Sequence, residues 1–148
     1  MSGGNGRAPA VLVGIDTEAD DQWSAEGRRT LSVRNAERLP ALQALCDALG
    51  VRPTYLVTHE MATRPESASV LRQLLAGGRC EVGAHLHPWS SPPYRAEDQD
   101  GRYPNQLPTE LLRRQLAELT EAIAVHVGPR GSWWAGARRG PRSPRSAR

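Results

Sequence analysis

Two pairs of polar residues, each directly after a short apolar run, most constrain the fold of this chain. The runs span residues 11–15 and 80–84, and the pairs that follow them are Asp16 with Glu18 and His85 with His87. A continuous apolar run of this length is typical of a buried strand. Residues two apart in an extended strand point to the same side, so the members of each pair can face one pocket. Carboxylates and imidazoles at the ends of successive strands are the groups with which an α/β enzyme builds a metal site.

Strands and helices alternate along the chain. The predicted strands cover residues 11–15, 53–58 and 80–84, and the predicted helices cover residues 35–49, 65–76 and 109–127. This order predicts an α/β fold with a parallel sheet or barrel and right-handed crossovers. Functional sites in such folds gather at the carboxyl ends of the strands, where both polar pairs are expected. A proline-rich segment, residues 88–108, has no periodicity and is predicted to be a long functional loop.

The spacing of apolar residues predicts which side of each helix faces the core. The predicted stripes are Leu39, Leu42, Leu45 and Leu49 in the first helix, Val70, Leu71, Leu74 and Leu75 in the second, and Leu112, Leu116, Leu119 and Ile123 in the third. Asn35 is predicted to cap the first helix at its start, and Gly50 to end it in the left-handed conformation.

Composition divides the chain of 148 residues into three parts. Residues 1–9 are predicted to be a flexible N-terminus, residues 10–128 a single domain, and residues 129–148 a basic low-complexity tail. The tail carries six arginines and no acid, so it accounts for the net charge of +3 and leaves a slightly acidic body. The tail is predicted either to be disordered or to result from translation out of frame.

The N-terminal residues and the cysteines bear on the compartment. Residues 1–9 lack the apolar segment of a secretory signal, which predicts a cytoplasmic protein. No apolar run approaches the ~20 residues needed to cross a bilayer, so no membrane partner is expected. Cys46 and Cys80 are accordingly predicted to be reduced core thiols, and a disulfide between them would require export.

Each polar pair has a simpler interpretation when it is taken alone. An Asp-x-Glu segment after a strand is commonly a helix cap or a solvated loop, and a His-x-His segment commonly has one core and one exposed histidine. The joint placement of the two pairs at strand ends favours the metal site. Asp20 and Asp21 are candidates for further ligands or for hydrogen-bond acceptors behind the ligands, and His59 for the same rim or for a structural role.

Three segments together resemble the N-terminal half of a NodB-like polysaccharide deacetylase. They read Asp-Thr-Glu-Ala-Asp-Asp-Gln-Trp at residues 16–23, Pro-Thr-Tyr-Leu-Val-Thr at 53–58 and Glu-Val-Gly-Ala-His-Leu-His-Pro-Trp at 81–89, and the resemblance covers residues 11–127. It implies a distorted (β/α) barrel and a divalent metal, usually zinc, which serves to hydrolyse N- or O-acetyl groups on sugars. By the same resemblance Asp16 is the general base, and the metal ligands are Glu18, His85 and His87.

The chain differs from the family pattern in two places. The family spaces the histidines of its second motif four apart, whereas position 89 here is Trp89. Its third motif carries an arginine that orients the catalytic aspartate, whereas Trp134 stands there within residues 131–136. The later strands and the late catalytic histidine of the family have no counterpart. The resemblance therefore implies an incomplete barrel with reduced activity, and its open strand edges favour oligomerisation.

Aromatic side chains flank the predicted site. Trp23, Trp89 and Tyr94 are predicted either to stack on the faces of a sugar or to seal the loops against the barrel. We expect an acetylated carbohydrate as the substrate and no nucleic-acid partner. Two alternatives remain: a non-catalytic remnant that binds metal or sugar, and a nucleic-acid binder that depends only on the terminal arginines.

Overall fold

The computed structural model describes residues 10–93 and 103–128, which form a mixed α/β structure around a three-stranded parallel sheet. The strands are β1 (Gly14–Thr17), β2 (Thr54–Val57) and β3 (Glu81–Ala84). The α-helices are α1 (Ala25–Thr30), α2 (Leu39–Ala48), α3 (His59–Thr63), α4 (Pro65–Ala76) and α5 (Thr109–His126). Two short 3₁₀ helices, Arg34–Arg38 and Pro104–Gln106, precede α2 and α5. The predicted order of strands and helices is confirmed, whereas α1 and α3 were not predicted.

One face of the sheet forms the core. Tyr55, Val57 and Val82 are buried there, and they pack against apolar side chains of the helices, including Leu119 and Ile123 of α5. Because side chains alternate along a strand, the residues between them lie on the opposite face, where the side chains are only partly buried or exposed. The described sheet therefore has a core face and a more open face.

A glycine on the open face leaves room for the side chain of Leu56 on the neighbouring strand. A Cβ at Gly83 would lie 3.0 Å from Cδ2 of Leu56, which is closer than such atoms normally approach. Leu56 is the register partner of Gly83, so its side chain covers the space that a larger residue on β3 would fill. Glycine at this position in a strand marks such a close approach.

The first strand begins later than the apolar run predicted. Val11 and Leu12 are 87% and 93% exposed, so the first part of the run does not belong to the strand. The reason is that β2 begins at Thr54, which pairs with Gly14 and donates its N–H to the carbonyl oxygen of Val13 at 2.9 Å, so the pairing with β2 does not extend to Val11 and Leu12. The pairing with β2 continues to Thr17, so Asp16 lies within β1 rather than after it.

The start of the first long helix also differs from the prediction. Residues Arg34–Arg38 form a 3₁₀ helix, and Asp20 rather than Asn35 caps it. The Asp20 carboxylate accepts hydrogen bonds from the backbone N–H groups of Arg34 and Asn35, both at 3.1 Å. The Asn35 side chain instead donates to the carbonyl oxygen of Glu18 at 2.8 Å. The end is as predicted, because Gly50 has a φ of 66°.

Helix α2 turns a different side to the core than its leucines predicted. Leu45 and Leu49 are 57% and 69% exposed, whereas Gln43 is buried. The Gln43 amide oxygen accepts a hydrogen bond from the Tyr55 hydroxyl at 3.1 Å, so this polar side chain is satisfied inside the structure. The predicted stripe is therefore wrong in its C-terminal half, although Leu39 is buried as expected.

Helix α5 confirms its predicted stripe at Leu119 and Ile123, which are fully buried, but not at Leu116. Leu116, a member of the predicted stripe, is 46% exposed, and the neighbouring Gln115 is fully buried. The Gln115 amide nitrogen donates to the carbonyl oxygens of Pro88, Ser91 and Pro93 at 2.9 to 3.1 Å. The buried amide therefore anchors the segment that follows His87, a role that an apolar side chain cannot take.

Several other predictions can be compared with the structure. Helix α4 matches the predicted residues 65–76, and Cys46 and Cys80 are buried free thiols, as expected. No helix in the described part of the chain has the length and apolar character needed to span a membrane. Three other predictions fall outside the described residues. They concern the N-terminus (residues 1–9), the tail (residues 129–148) and Tyr94.

Candidate metal centre

The register of the sheet brings three loops to one edge. Thr17 pairs with Val57, and Val57 pairs with Ala84, so the three strands end at the same level. Glu18 and His85 directly follow β1 and β3 and therefore lie at the carboxyl edge. This is the edge at which parallel α/β folds build their sites.

Three side chains converge at this edge with geometry suited to a metal ion. They are Glu18, His85 and His87, whose candidate ligand atoms all lie within 4.8 Å of one another. The distances are 2.9 Å between the two histidine Nε2 atoms, 3.2 Å from His87 Nε2 to Glu18 Oε2, and 3.9 Å from His85 Nε2 to Glu18 Oε2. These values bracket the edge of about 3.3 Å in a tetrahedron with metal–ligand bonds of about 2.0–2.1 Å. The three residues can therefore hold one cation.

The partners of the two imidazoles show which nitrogen of each ring is free. His87 Nδ1 lies 2.7 Å from the amide oxygen of Gln22, which can only accept, so His87 carries its proton on Nδ1. His85 Nδ1 lies 3.2 Å from Oδ1 of Asp16, and a carboxylate beside Nδ1 favours a proton there too. Both Nε2 atoms then present lone pairs. Two imidazole lone pairs and a Glu18 carboxylate oxygen face one another, an arrangement that a cation between them would stabilise.

The electrostatics of the centre also favour a cation. Burial and, to a lesser extent, neighbouring His85 together lower the pKa of His87 to about 4, against the opposing effect of Asp16. His87 is therefore neutral near pH 7 and keeps its lone pair. Burial also raises the pKa of Glu18; His85 opposes this rise, whereas Asp16 and Glu60 add to it. A positive charge among these groups would favour the ionised carboxylate.

Asp16 lies beside the three candidate ligands and is more accessible than Glu18. Its side chain is 63% exposed, compared with 23% for Glu18, and it approaches His85 on the side away from Nε2. The exposed carboxylate can contact solvent or a ligand while one oxygen remains beside the imidazole. The position of Asp16 therefore suits proton transfer as well as orientation of His85.

The predicted aromatic residues have different environments. The Trp89 ring stacks on His87, with centroids 4.3 Å apart and an angle of 28° between the planes. Trp23 follows Gln22 in the loop after β1 and is 76% exposed. Trp89 thus packs against a candidate ligand, whereas Trp23 presents its ring to solvent.

Three other sequence candidates do not join the cluster. Asp20 caps the first 3₁₀ helix, as described above, and Asp21 accepts a hydrogen bond from the Ser24 hydroxyl at 2.7 Å. His59 is the first residue of α3, where burial lowers its pKa. It lines a cavity of about 430 Å³ that also contacts Glu60 and Ser90.

Sequence reasoning missed three polar residues behind His87. Gln22, Thr58 and Glu60 are buried and linked to one another by hydrogen bonds. A signal for two of them was available, because Thr58 and Glu60 follow β2 at the same carboxyl edge as the ligands. No sequence pattern identified Gln22, because its role depends on which way its amide group points between Glu60 and His87.

Comparison with protein-family models, curated proteins and solved structures finds no match to this chain.

Proposed function

We propose that this protein is a metal-dependent carbohydrate deacetylase in which Glu18, His85 and His87 hold a zinc ion. The observation that carries the proposal is the convergence of three lone-pair-bearing atoms at the carboxyl edge of a parallel sheet, beside the exposed carboxylate of Asp16. A hydrolytic metal centre needs this combination: ligands from the protein, open coordination positions, and a base that substrate can reach. The resemblance to NodB-like deacetylases supplies the expected substrate class.

Zinc is proposed because of the donor atoms. Two imidazole nitrogens and one carboxylate oxygen form a usual ligand set of catalytic zinc sites, which leave a further position for water or substrate. Bound zinc would supply Lewis acidity, which polarises the acetyl carbonyl and acidifies water. The same ligand types also bind other transition metals, so the metal content of the protein tests this part of the proposal.

Asp16 is proposed as the general base. Its exposed carboxylate would accept a proton from the attacking water, whose oxygen bonds to the acetyl carbon. The bond from that carbon to the sugar nitrogen or oxygen then breaks, and the proton passes to the leaving group. The products are acetate and a free amine or hydroxyl group. Trp23 and Trp89, together with Tyr94, are proposed to contact the sugar, since sugar C–H faces pack well against aromatic rings.

The finer fold is part of the same proposal. In a (β/α) barrel the helices cover only the outer side of the sheet, and the inner side faces the barrel axis. The sheet described here has one core face and one more open face that carries Leu56, which fits a segment of such a barrel. We therefore propose the NodB-like incomplete (β/α) barrel as the architecture, with self-association through its open strand edges.

Acetate release tests the proposed activity. Zinc-loaded protein should release acetate from N-acetylated chitooligosaccharides or from an O-acetylated sugar, and Asp16→Asn should lower the rate about 10²- to 10⁴-fold. The variant should keep its zinc, because Asp16 is not a proposed ligand and the amide oxygen of an asparagine there can still accept a hydrogen bond from His85 Nδ1. Glu110→Gln, an exposed acid in the first turn of α5, is the control and should retain the wild-type rate.

Two outcomes would contradict the deacetylase proposal. Zinc-loaded protein that releases no acetate from any of these sugars would favour the alternative of a non-catalytic protein that binds metal or sugar. An Asp16→Asn variant as active as the wild type would remove Asp16 from the proposed reaction.

A further inference from the structure

A chain of buried hydrogen bonds runs from the second strand to His87. The Thr58 hydroxyl donates to Glu60 Oε1 at 2.6 Å, and the Gln22 amide nitrogen donates to the same oxygen at 2.9 Å. The Gln22 amide oxygen then lies 2.7 Å from His87 Nδ1. All four side chains are buried, with at most 6% of any residue exposed, so water does not compete for these contacts.

The chain has only one consistent direction. An ionised carboxylate can only accept hydrogen bonds, so Glu60 requires the amide nitrogen of Gln22 on its side. The amide oxygen of Gln22 must then face His87, and it can only accept. His87 is thereby required to carry its proton on Nδ1 and to leave Nε2 free. A glutamine at position 60 would not impose this direction, because its own amide can present either nitrogen or oxygen.

We infer that Gln22, Glu60 and Thr58 are positioning residues that hold the His87 ring with its Nε2 lone pair directed at the metal centre. The inference rests on the metal centre proposed above. It assigns a role to a buried carboxylate that contacts no proposed ligand directly. Because Gln22 follows β1, Glu60 follows β2 and His87 follows β3, the chain also ties together the carboxyl ends of all three strands.

The burial of the Glu60 carboxylate fits this role. Its second oxygen, Oε2, is buried and has no hydrogen-bond partner within residues 10–93 and 103–128. A buried carboxylate is costly unless other groups compensate it, and a cation held by His87 would lie at the other end of the chain. Hydrogen bonds of this kind behind a metal-bound histidine orient the ring and raise its basicity, and their loss typically weakens metal binding about 10- to 100-fold.

An exchange of the two side chains tests the inference in the full-length protein. Glu60→Gln alone should weaken zinc binding about 10- to 100-fold in a chelator competition assay, because Gln22 is then free to turn its amide. The double variant Gln22→Glu/Glu60→Gln should bind zinc within a few-fold of the wild type. In that variant the amide nitrogen at position 60 takes the place of Glu60 Oε1 and donates both to the new carboxylate at position 22 and to the Thr58 hydroxyl oxygen. The carboxylate at position 22 accepts from His87 Nδ1. Glu110→Gln is the control for loss of a glutamate and should change nothing.

The tautomer of His87 gives a second readout that does not depend on zinc or on activity. Nitrogen-15 NMR of the metal-free protein should show the Nδ1–H form in the wild type and in the double variant, and a mixture of tautomers in Glu60→Gln. A protein that binds no zinc would refute the proposed function, whereas the tautomers would still test the positioning chain.

Three results would overturn the inference. The first is a Glu60→Gln variant with the wild-type tautomer and zinc affinity. The second is a folded double variant whose tautomer and affinity stay as altered as those of the single variant. The third is a Glu60→Gln variant whose zinc affinity falls while His87 keeps the wild-type tautomer, because the loss would then not act through the orientation of the ring.

Discussion

Replacing Gln115 with methionine should loosen the segment that follows His87. The Gln115 amide nitrogen donates to the carbonyl oxygens of Pro88, Ser91 and Pro93, at distances of 3.0, 2.9 and 3.1 Å. Methionine has a similar length and no donor, so Gln115→Met leaves these carbonyls without their partner while filling most of the space. The change tests whether α5 anchors the loop that presents a candidate ligand.

The expected loss of stability follows from the contacts. The amide has two hydrogens for three acceptors, so about two full hydrogen bonds are lost, and a buried acceptor without a partner costs about 1–3 kcal/mol. The Gln115 amide oxygen is itself buried without a hydrogen-bond partner among the described residues, and its removal offsets part of this cost. We therefore expect a net loss of about 2–3 kcal/mol in the free energy of unfolding.

Urea unfolding measures this loss. The midpoint should fall by about 1–2 M for a typical denaturant dependence, with the slope unchanged. Zinc affinity should also fall, because His87 directly precedes the anchored segment. Leu116→Met, on the exposed side of the same helix, is the matched control and should change stability by less than about 0.5 kcal/mol. A Gln115→Met protein as stable as the control would refute the anchoring role.

Three further predictions concern the core. Leu119→Ala should lower stability by about 3–5 kcal/mol and Leu116→Ala by less than about 1 kcal/mol, and equal losses in urea unfolding would contradict the observed orientation of α5. Cys46 and Cys80 should react with a thiol reagent only as the protein unfolds, and rapid labelling of both in the native protein would contradict their burial. Burial raises the pKa of Tyr55 to about 12 and that of Cys80 to about 11. Because the unfolded chain releases these protons at lower pH, stability should fall as pH rises from about 9 to about 12, and an unchanged urea midpoint between about pH 8 and pH 11 would contradict this.

Local sequence patterns predicted the order of the main elements but not all of their boundaries or orientations. Helix α4 and the three strands follow from apolar runs and from glycines and prolines at their ends. The start of β1 could not be read from the run at residues 11–15, because a strand extends only as far as its neighbour pairs with it. The stripes of α2 and α5 were only partly correct, because Gln43 and Gln115 are buried through hydrogen bonds, whereas apolar periodicity assigns polar residues to the surface.

The sequence predicted the ligands of the candidate metal centre but not the buried residues that hydrogen-bond behind His87. Residue spacing and strand ends were enough to predict two histidines and a carboxylate at one site, and the family resemblance selected Glu18 rather than Asp16 as the ligand. The structure brings Glu18, His85 and His87 together. The connection from Gln22 to Glu60 depends on side-chain directions across two loops, which no local pattern records. The roles of the residues in catalysis stay predictions.

The metal content of the purified and dialysed protein tests the central claim most directly. We predict about one zinc ion per chain by mass spectrometry, consistent with a single three-ligand site. The double variant His85→Ala/His87→Ala should have lost this zinc, while His126→Ala, which removes an exposed histidine at the end of α5, should retain it. A folded wild-type protein without bound metal, or a double variant that still carries zinc, would contradict the assignment of Glu18, His85 and His87 as a metal centre.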